Sequence, residues 1–339
     1  MSHSAATSAA VSIFSSAPDS PCSSTSDLSA SSLTRVDNAL VDCLLSQLDL
    51  SAICDTLVSV AHEAGAMMLA ADPSVTTSVS KRNTSDRVTA TDRAIEAMVQ
   101  TRLASAYPDF CFLGEETFKD GQMLTDDPTF VCDPIDGTLN FIHGFPNTAV
   151  SLALAVGKKP TIGVVYNPFR GDLFHAIKGR GAFLTRGNSC ATPLPVKQNP
   201  DPLASLNGCL VAIEWGSERA GPNWDLRSRV ASKLLSATSQ GGAMVHSVRS
   251  SGSAALDFCY VAAGWMDLFW EGGCWIWDVC AGWCILEEAG GIVAGANPGE
   301  WEPSLEGRSY LAVRGAPVGQ IQVVEELWSH MGGSEFVFK

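Results

Sequence analysis

At 339 residues, 46% apolar and 17% charged, the chain is long enough for one large domain or two closely packed ones with a substantial core. Its formal net charge of −14 argues against nucleic acid or an anionic membrane as the main partner. It leaves room for a small anionic substrate, because bound cations reverse the charge of a single cleft. The 11 cysteines are odd in number and contain no CxxC pair, which excludes a small disulfide scaffold and predicts reduced, buried thiols in a cytoplasmic protein.

No uninterrupted apolar run reaches the roughly 18 residues of a membrane span. No basic stretch precedes an apolar block at the N-terminus, as a secretory signal would require. Residues 1 to about 35 are mostly Ser, Ala and Thr and read as a disordered tail. From about Val36 apolar residues recur at i, i+3 and i+4, predicting helix that stops before Asp72-Pro73. A second helical pattern runs from Asp92 to Tyr107, with Thr91 or Asp92 as N-cap and Pro108 as its stop. Strands are then predicted over 109–114, 129–133, 148–156, 160–168 and 171–179, with short turns that favour antiparallel neighbours. A Pro-rich stretch, 190–208, divides the region from 36 to the C-terminus into halves of about 36–200 and 201–339. The second half alternates strand and helix: strand 209–215, helix 225–237, helix 251–264, strand 266–272, helix 278–291 closed by glycines, strand 309–315 and a final helix 318–331. The class is α/β, with helices and sheets in layers.

The stretch "VCDPIDGTLNFIHGFP" (131–146) carries the chemistry. It places Asp133 and Asp136 at the end of an apolar strand, where open α/β sheets bind ligands. The spacing D-x-x-D-G-T does not match the D-x-D-G-T that presents an aspartyl nucleophile. On a regular strand, side chains three apart point to opposite faces. The two aspartates converge only if the chain bends, which Pro134 and Gly137 permit. That geometry suits wrapping a cation. Thr138 adds a hydroxyl and a backbone N–H where an anion could sit. Taken alone, the segment also reads as an Asp-rich turn without chemistry.

Two other segments supply acids at element ends. "FLGEET" delivers Glu115 and Glu116 after Gly114, and "CWIWDVCAGW" places Asp278 in the first turn of an apolar helix. Alone, Glu115 is a solvated loop charge and Asp278 an N-cap. Together with Asp133 and Asp136 they form a hard oxygen set without histidine, favouring Mg²⁺ or Mn²⁺ over Zn²⁺. Lys81 is either a cation on a loop near substrate or a surface lysine. The tryptophans at 265, 270, 275, 277 and 283 read as core and interface packing. Cys280 and Cys284, one turn apart, read as helix packing.

The ordered segments "VTATD" (88–92), "GEE" (114–116), "DPIDGTLNFIHGFP" (133–146), "RSSGSAALD" (249–257) and "WEGGCWIWDVCAGWCILEEAGG" (270–291) resemble the inositol monophosphatase family of Mg²⁺-dependent phosphatases. The resemblance covers about Val36 to the C-terminus. It implies a five-layer αβαβα sandwich, a homodimer and hydrolysis of a small phosphate ester without a covalent phospho-enzyme. It implies two or three Mg²⁺ ions per site, replaceable by Mn²⁺, with lithium inhibition common. By resemblance, Glu115, Asp133 and the Ile135 carbonyl bind one ion, and Asp133, Asp136 and Asp278 another. Asp92 and Thr138 orient and deprotonate the attacking water, Gly137 and Thr138 N–H groups cradle phosphate, and Lys81 helps organise the ions. Ser253, Ala254 and Glu271 line the substrate pocket. The leading expectation is myo-inositol monophosphate. A related adenosine bisphosphate or sugar phosphate phosphatase, a quinate-associated relative, and a non-catalytic regulatory member remain alternatives.

Overall fold

A computed structural model of the chain describes residues 41, 45–75, 77–81 and 83–338. The predicted tail, residues 1 to about 35, lies outside the described residues. Val41 onward forms one compact unit.

The first long helix, α1 (Leu50–Ala70), does not continue unbroken from Val36 as the periodicity suggests. Asp49 starts it afresh, its carboxylate accepting the Ala52 N–H at 3.1 Å. By length and composition α1 is apolar enough to cross a membrane. In the fold, its stripe of Ile53, Leu57, Val60, Ala64 and Met68 is buried in a cluster shared with a seven-stranded sheet. A short ribbon of β1 (Val79–Ser80) and β2 (Arg87–Val88) leads to α2 (Ala90–Ala106). Here the N-cap is Thr89, not Thr91 or Asp92: the Thr89 hydroxyl accepts the N–H groups of Thr91 and Asp92.

The large sheet contains β3 (Cys111–Gly114), β4 (Thr129–Asp136), β5 (Ala149–Val156), β6 (Lys159–Asn167), β7 (Asp172–Ile177), β8 (Ala182–Arg186) and β9 (Thr192–Pro193), in chain order. Strands β3 and β4 are parallel, and every later pair is antiparallel, as the short turns suggest. A five-residue helix, α3 (Thr138–Ile142), interrupts the run after β4. The smaller sheet is ordered β11-β10-β12-β14-β13, from β10 (Leu210–Ile213), β11 (Ser247–Arg249), β12 (Leu268–Gly272), β13 (Ile292–Gly295) and β14 (Ser309–Val313). Strands β8, β9, β11 and β13 were not expected from the sequence. They are two to five residues long, too short for alternation to stand out, and their neighbours supply the hydrogen bonds that define them.

Helices α5 (Ala254–Ala262) and α6 (Ile276–Glu288) lie between the sheets, and their residues join both in one apolar cluster. Apolar side chains surround α6 on almost all sides, the signature of a buried helix. It approaches β6 so closely that a Cβ on Gly163 would fall 2.2 Å from the Ala281 carbonyl. Cys280 and Cys284 are buried free thiols in this layer, and all nine cysteines among the described residues are unpaired. Helices α4 (Pro222–Leu235) and α7 (Gln320–His330) cover the outer face of the small sheet. With α1 and α2 outside the large sheet, the order is αβαβα, as the resemblance implies.

Candidate active site

The backbone bends where the sequence predicts. Asp133 pairs with Ser151 and Asp136 with Ala149, so three steps along β4 oppose two along β5. The extra residue is a β-bulge, and it brings two side chains that would point oppositely to one face. Gly137 follows with φ +90°, in the left-handed region, and a Cβ there would lie 2.8 Å from the Gly252 carbonyl. The Asp133 carboxylate accepts the Ile135 N–H at 3.0 Å. One carboxylate oxygen each of Asp133, Asp136 and Asp278 lies within 4.8 Å of the others. Burial raises all three pKa values, and their mutual repulsion adds to it for Asp133 and Asp278. Asp136 stands at about 6, because the Ser253 hydroxyl and the Ala255 N–H, both donating to its Oδ2, offset part of the burial.

Asp278 is not the N-cap of α6. It sits one turn in, and its carboxylate reaches back to accept the Trp275 N–H at 2.7 Å. Asp92 repeats the device in α2: its Oδ2 accepts the Thr89 N–H at 2.9 Å and contacts the Thr89 hydroxyl. Its other oxygen lies 3.2 Å from Thr138 Oγ1, which is also 3.1 Å from the Ile135 carbonyl. Burial raises the Asp92 pKa against the opposing Thr89 hydrogen bonds. Glu115 lines the same cleft, and its charge adds to the rise in the Asp133 and Asp278 pKa values. Lys81 donates to Glu115 Oε1 at 2.7 Å and to Glu116 Oε1 at 2.5 Å. Burial opposes the lysine's charge, and the two glutamates more than offset it. Burial also pushes Glu115 up to about 7, against the pull of Lys81.

The cleft holds about 350 Å³ and is lined by Glu115, Asp136, Gly137, Thr138, Ser253, Ala254, Glu271 and Asp278. Glu271, at the end of β12, is pushed up to about 8 by burial and by Glu214, against the pull of Arg227. Trp270, Trp277 and Trp283 are buried, while the half-buried Trp275 stacks on Trp277 and under the Arg308 guanidinium, and Trp275 and Trp277 also line a second pocket that shares Glu115, Glu271 and Asp278 with the cleft. Sequence reasoning missed Glu214, Trp215 and Arg219, which form one wall. A signal existed for Glu214: like Glu115, it is an acid directly after an apolar strand.

An all-oxygen set of gathered carboxylates, each destabilised as an anion by its neighbours, fits a hard divalent cation. The Thr138–Asp92 pair beside it suits activation of a hydroxyl or water. Fold and cleft therefore define a class, the cation-dependent phosphoester hydrolases. The chain belongs to the inositol monophosphatase family, whose sequence profile matches residues 49–331. It is 49% identical over 259 residues to inositol monophosphatase 2 of Saccharomyces cerevisiae, covering 75% of this chain and 85% of that one. It is 40% identical over 279 residues to the quinic acid degradation cluster protein x of Neurospora crassa, covering 74% and 81%. Among solved structures, the extragenic suppressor protein suhB of Bartonella henselae superposes with a TM-score of 0.67 at 31% identity, over 81% of this chain and 98% of that one.

Proposed function

We propose that the cleft hydrolyses a small polyol phosphate, myo-inositol monophosphate first, to the free polyol and inorganic phosphate. The observation that carries this reading is the gathering of Asp133, Asp136 and Asp278 within 4.8 Å, beside Thr138 and Asp92. Glu115, Asp133 and the Ile135 carbonyl would hold one Mg²⁺, and Asp133, Asp136 and Asp278 a second, with a third permitted. When bound, such ions neutralise phosphoryl oxygens and lower the pKa of water.

The chain's own groups do the rest. Asp92 has one oxygen fixed by Thr89, so its free oxygen faces Thr138 and takes a proton relayed from the attacking water. The Gly137 and Thr138 N–H groups, at the start of α3, receive phosphate oxygens. Ser253, Ala254 and Glu271 face the polyol, with Glu271 sorting hydroxyl arrangements. Lys81 holds Glu115 and Glu116 together at the rim. Such a protein would act as a cytoplasmic homodimer, with neither nucleic acid nor membrane as partner.

The test is phosphate release, with Mg²⁺, from myo-inositol 1-phosphate, adenosine 3′,5′-bisphosphate and fructose 1,6-bisphosphate. The inositol ester is expected to be preferred, and silence with all three would overturn the reading. Similarity to the Neurospora quinic acid degradation cluster protein favours a second reading, a phosphorylated cyclic polyol other than inositol. Faster turnover of such an ester would select it.

A further inference from the structure

Two buried acids, Glu214 in the cleft wall and Asp257 behind it, are not used by the chemistry above. Glu214 follows β10 and is 8% exposed, and Asp257, in the first turn of α5, is fully buried. Their hydrogen bonding differs sharply. Glu214 accepts from the Ser251 N–H, from the Gly252 N–H at 2.8 Å and from the Ser250 hydroxyl at 3.0 Å. Neither oxygen of Asp257 receives a hydrogen bond from a backbone or side-chain donor. The polar groups that its carboxyl meets are the Ser251 hydroxyl, which points to the Ser253 carbonyl at 3.4 Å, and the carboxyl of Glu214.

A buried carboxylate without donors is among the costliest groups a fold can hold. A buried carboxylic acid is not, provided its O–H finds an acceptor. Glu214 takes three donors and is the natural anion of the pair. Asp257 takes none and is the natural acid. We propose that Asp257 carries a proton and donates it to Glu214, so that the two acids act as one singly charged clamp on the 250–255 loop. Glu271, from β12, also acts on Asp257, Glu214 in turn faces Asp136 from β4, and Cys259 and Tyr260 lie near Asp257 on α5. Burial first, and then the charge of Glu214, raise the Asp257 pKa well above the usual range, in the direction the clamp requires.

The loop so held reaches the cleft. The Ser251 carbonyl accepts from Asn140 at 2.8 Å and Asn147 at 3.0 Å, tying the loop to α3 and to the strand entry beyond it. Gly252, at φ +81°, fits only because it lacks a Cβ, whose place would be 2.6 Å from the Asn140 amide. Ser253 and the Ala255 N–H then fix Asp136. Asp257 is thus a positioning residue, acting through Glu214 on the loop that orients Asp136 and presents Ser253 and Ala254. Its effect on turnover rests on the cleft reading above; its protonation does not.

The experiment uses the full chain with saturating Mg²⁺ at neutral pH. The infrared difference between wild type and Asp257→Asn is expected to contain the C=O stretch of one protonated carboxyl, shifting in D₂O. Absence of that band overturns the proposal, whatever the kinetics. The Asn amide keeps a donor toward Glu214, so Asp257→Asn is expected to stay within about twofold of wild type in KM. Asp257→Ala is expected to raise KM at least tenfold. At alkaline pH the wild-type KM is expected to climb as the pair loses its proton, whereas the Asn variant stays flat there. Should Asp257→Ala fail to fold, the band and the pH comparison still decide. Equal impairment of the Asn and Ala variants, or identical alkaline profiles for wild type and Asn, would refute the clamp.

Discussion

Replacing Asp133 by asparagine tests the cation reading from two directions. Its buried carboxylate lies within 4.8 Å of those of Asp136 and Asp278. At that separation and an effective dielectric constant of about 20, each like-charged pair opposes folding by about 3.5 kcal/mol. Proton uptake limits the total, because neutralising an aspartate at pH 7 costs about 4 kcal/mol. Asparagine keeps an oxygen for the Ile135 N–H, so the bend survives. The variant is therefore expected to stabilise the metal-free protein by about 2 to 4 kcal/mol, raising Tm by about 4 to 8 °C. The same change removes a ligand that would be shared by two ions. Losing about 4 kcal/mol of charge stabilisation lowers kcat by about 10³. Thermal unfolding in chelator and in Mg²⁺, with phosphate release alongside, reads both effects. A lower metal-free Tm, an undiminished Mg²⁺-induced rise in Tm, or near-wild-type turnover would each refute the reasoning.

Glu115, Asp136 and Glu271 stand at about 7, 6 and 8, chiefly through burial. The unfolded chain releases these protons first as pH rises, so their contribution to metal-free stability is full near pH 4 and lost by about pH 8. Urea midpoints in chelator should fall across that window, and a rising midpoint would contradict the assignment. Gly114→Ala places a Cβ 2.5 Å from the Glu96 carboxyl, which holds the Glu116 N–H at 2.7 Å. A loss of about 1 to 3 kcal/mol is expected, together with weaker Mg²⁺ activation, measured by denaturation and metal titration. Glu271→Gln should change the ranking of phosphate esters in a competition assay, and an equal loss for every ester would assign it to the core chemistry instead.

The convergence of Asp133 and Asp136 was legible because the residues that bend the chain, Pro134 and Gly137, stand beside the acids. The α/β class followed from the alternation of strands and helices in the second half, whereas the αβαβα order came from the family resemblance. Local starts were less legible. "VTATD" offers three capping side chains, and the reciprocal hydrogen bonds between Thr89 and Asp92 three residues on select Thr89. The helical period from Val36 onward hid the fresh start at Asp49, because a cap does not interrupt an apolar stripe. Glu214 and Asp257 escaped notice for a different reason. A single acid in an apolar stretch looks like an exposed charge until the fold shows which strand ends and helix turns enclose it, and their proximity joins positions 43 residues apart.

Asp92 and Asp278 occupy matching stations in two different helices, each with one oxygen spent on a backbone N–H of its own first turn. Only the remaining oxygen is at the cleft's disposal. An amide at either station faces a dilemma: its oxygen serves the peptide and turns an NH₂ toward the cation at Asp278 or toward the Thr138 hydroxyl at Asp92, or the reverse. Isosteric replacement, ordinarily the gentlest of probes, is thus no gentler here than truncation. Helix initiation and the chemistry of the cleft draw on the same two carboxylate oxygens, for proton transfer at Asp92 and for ion capture at Asp278.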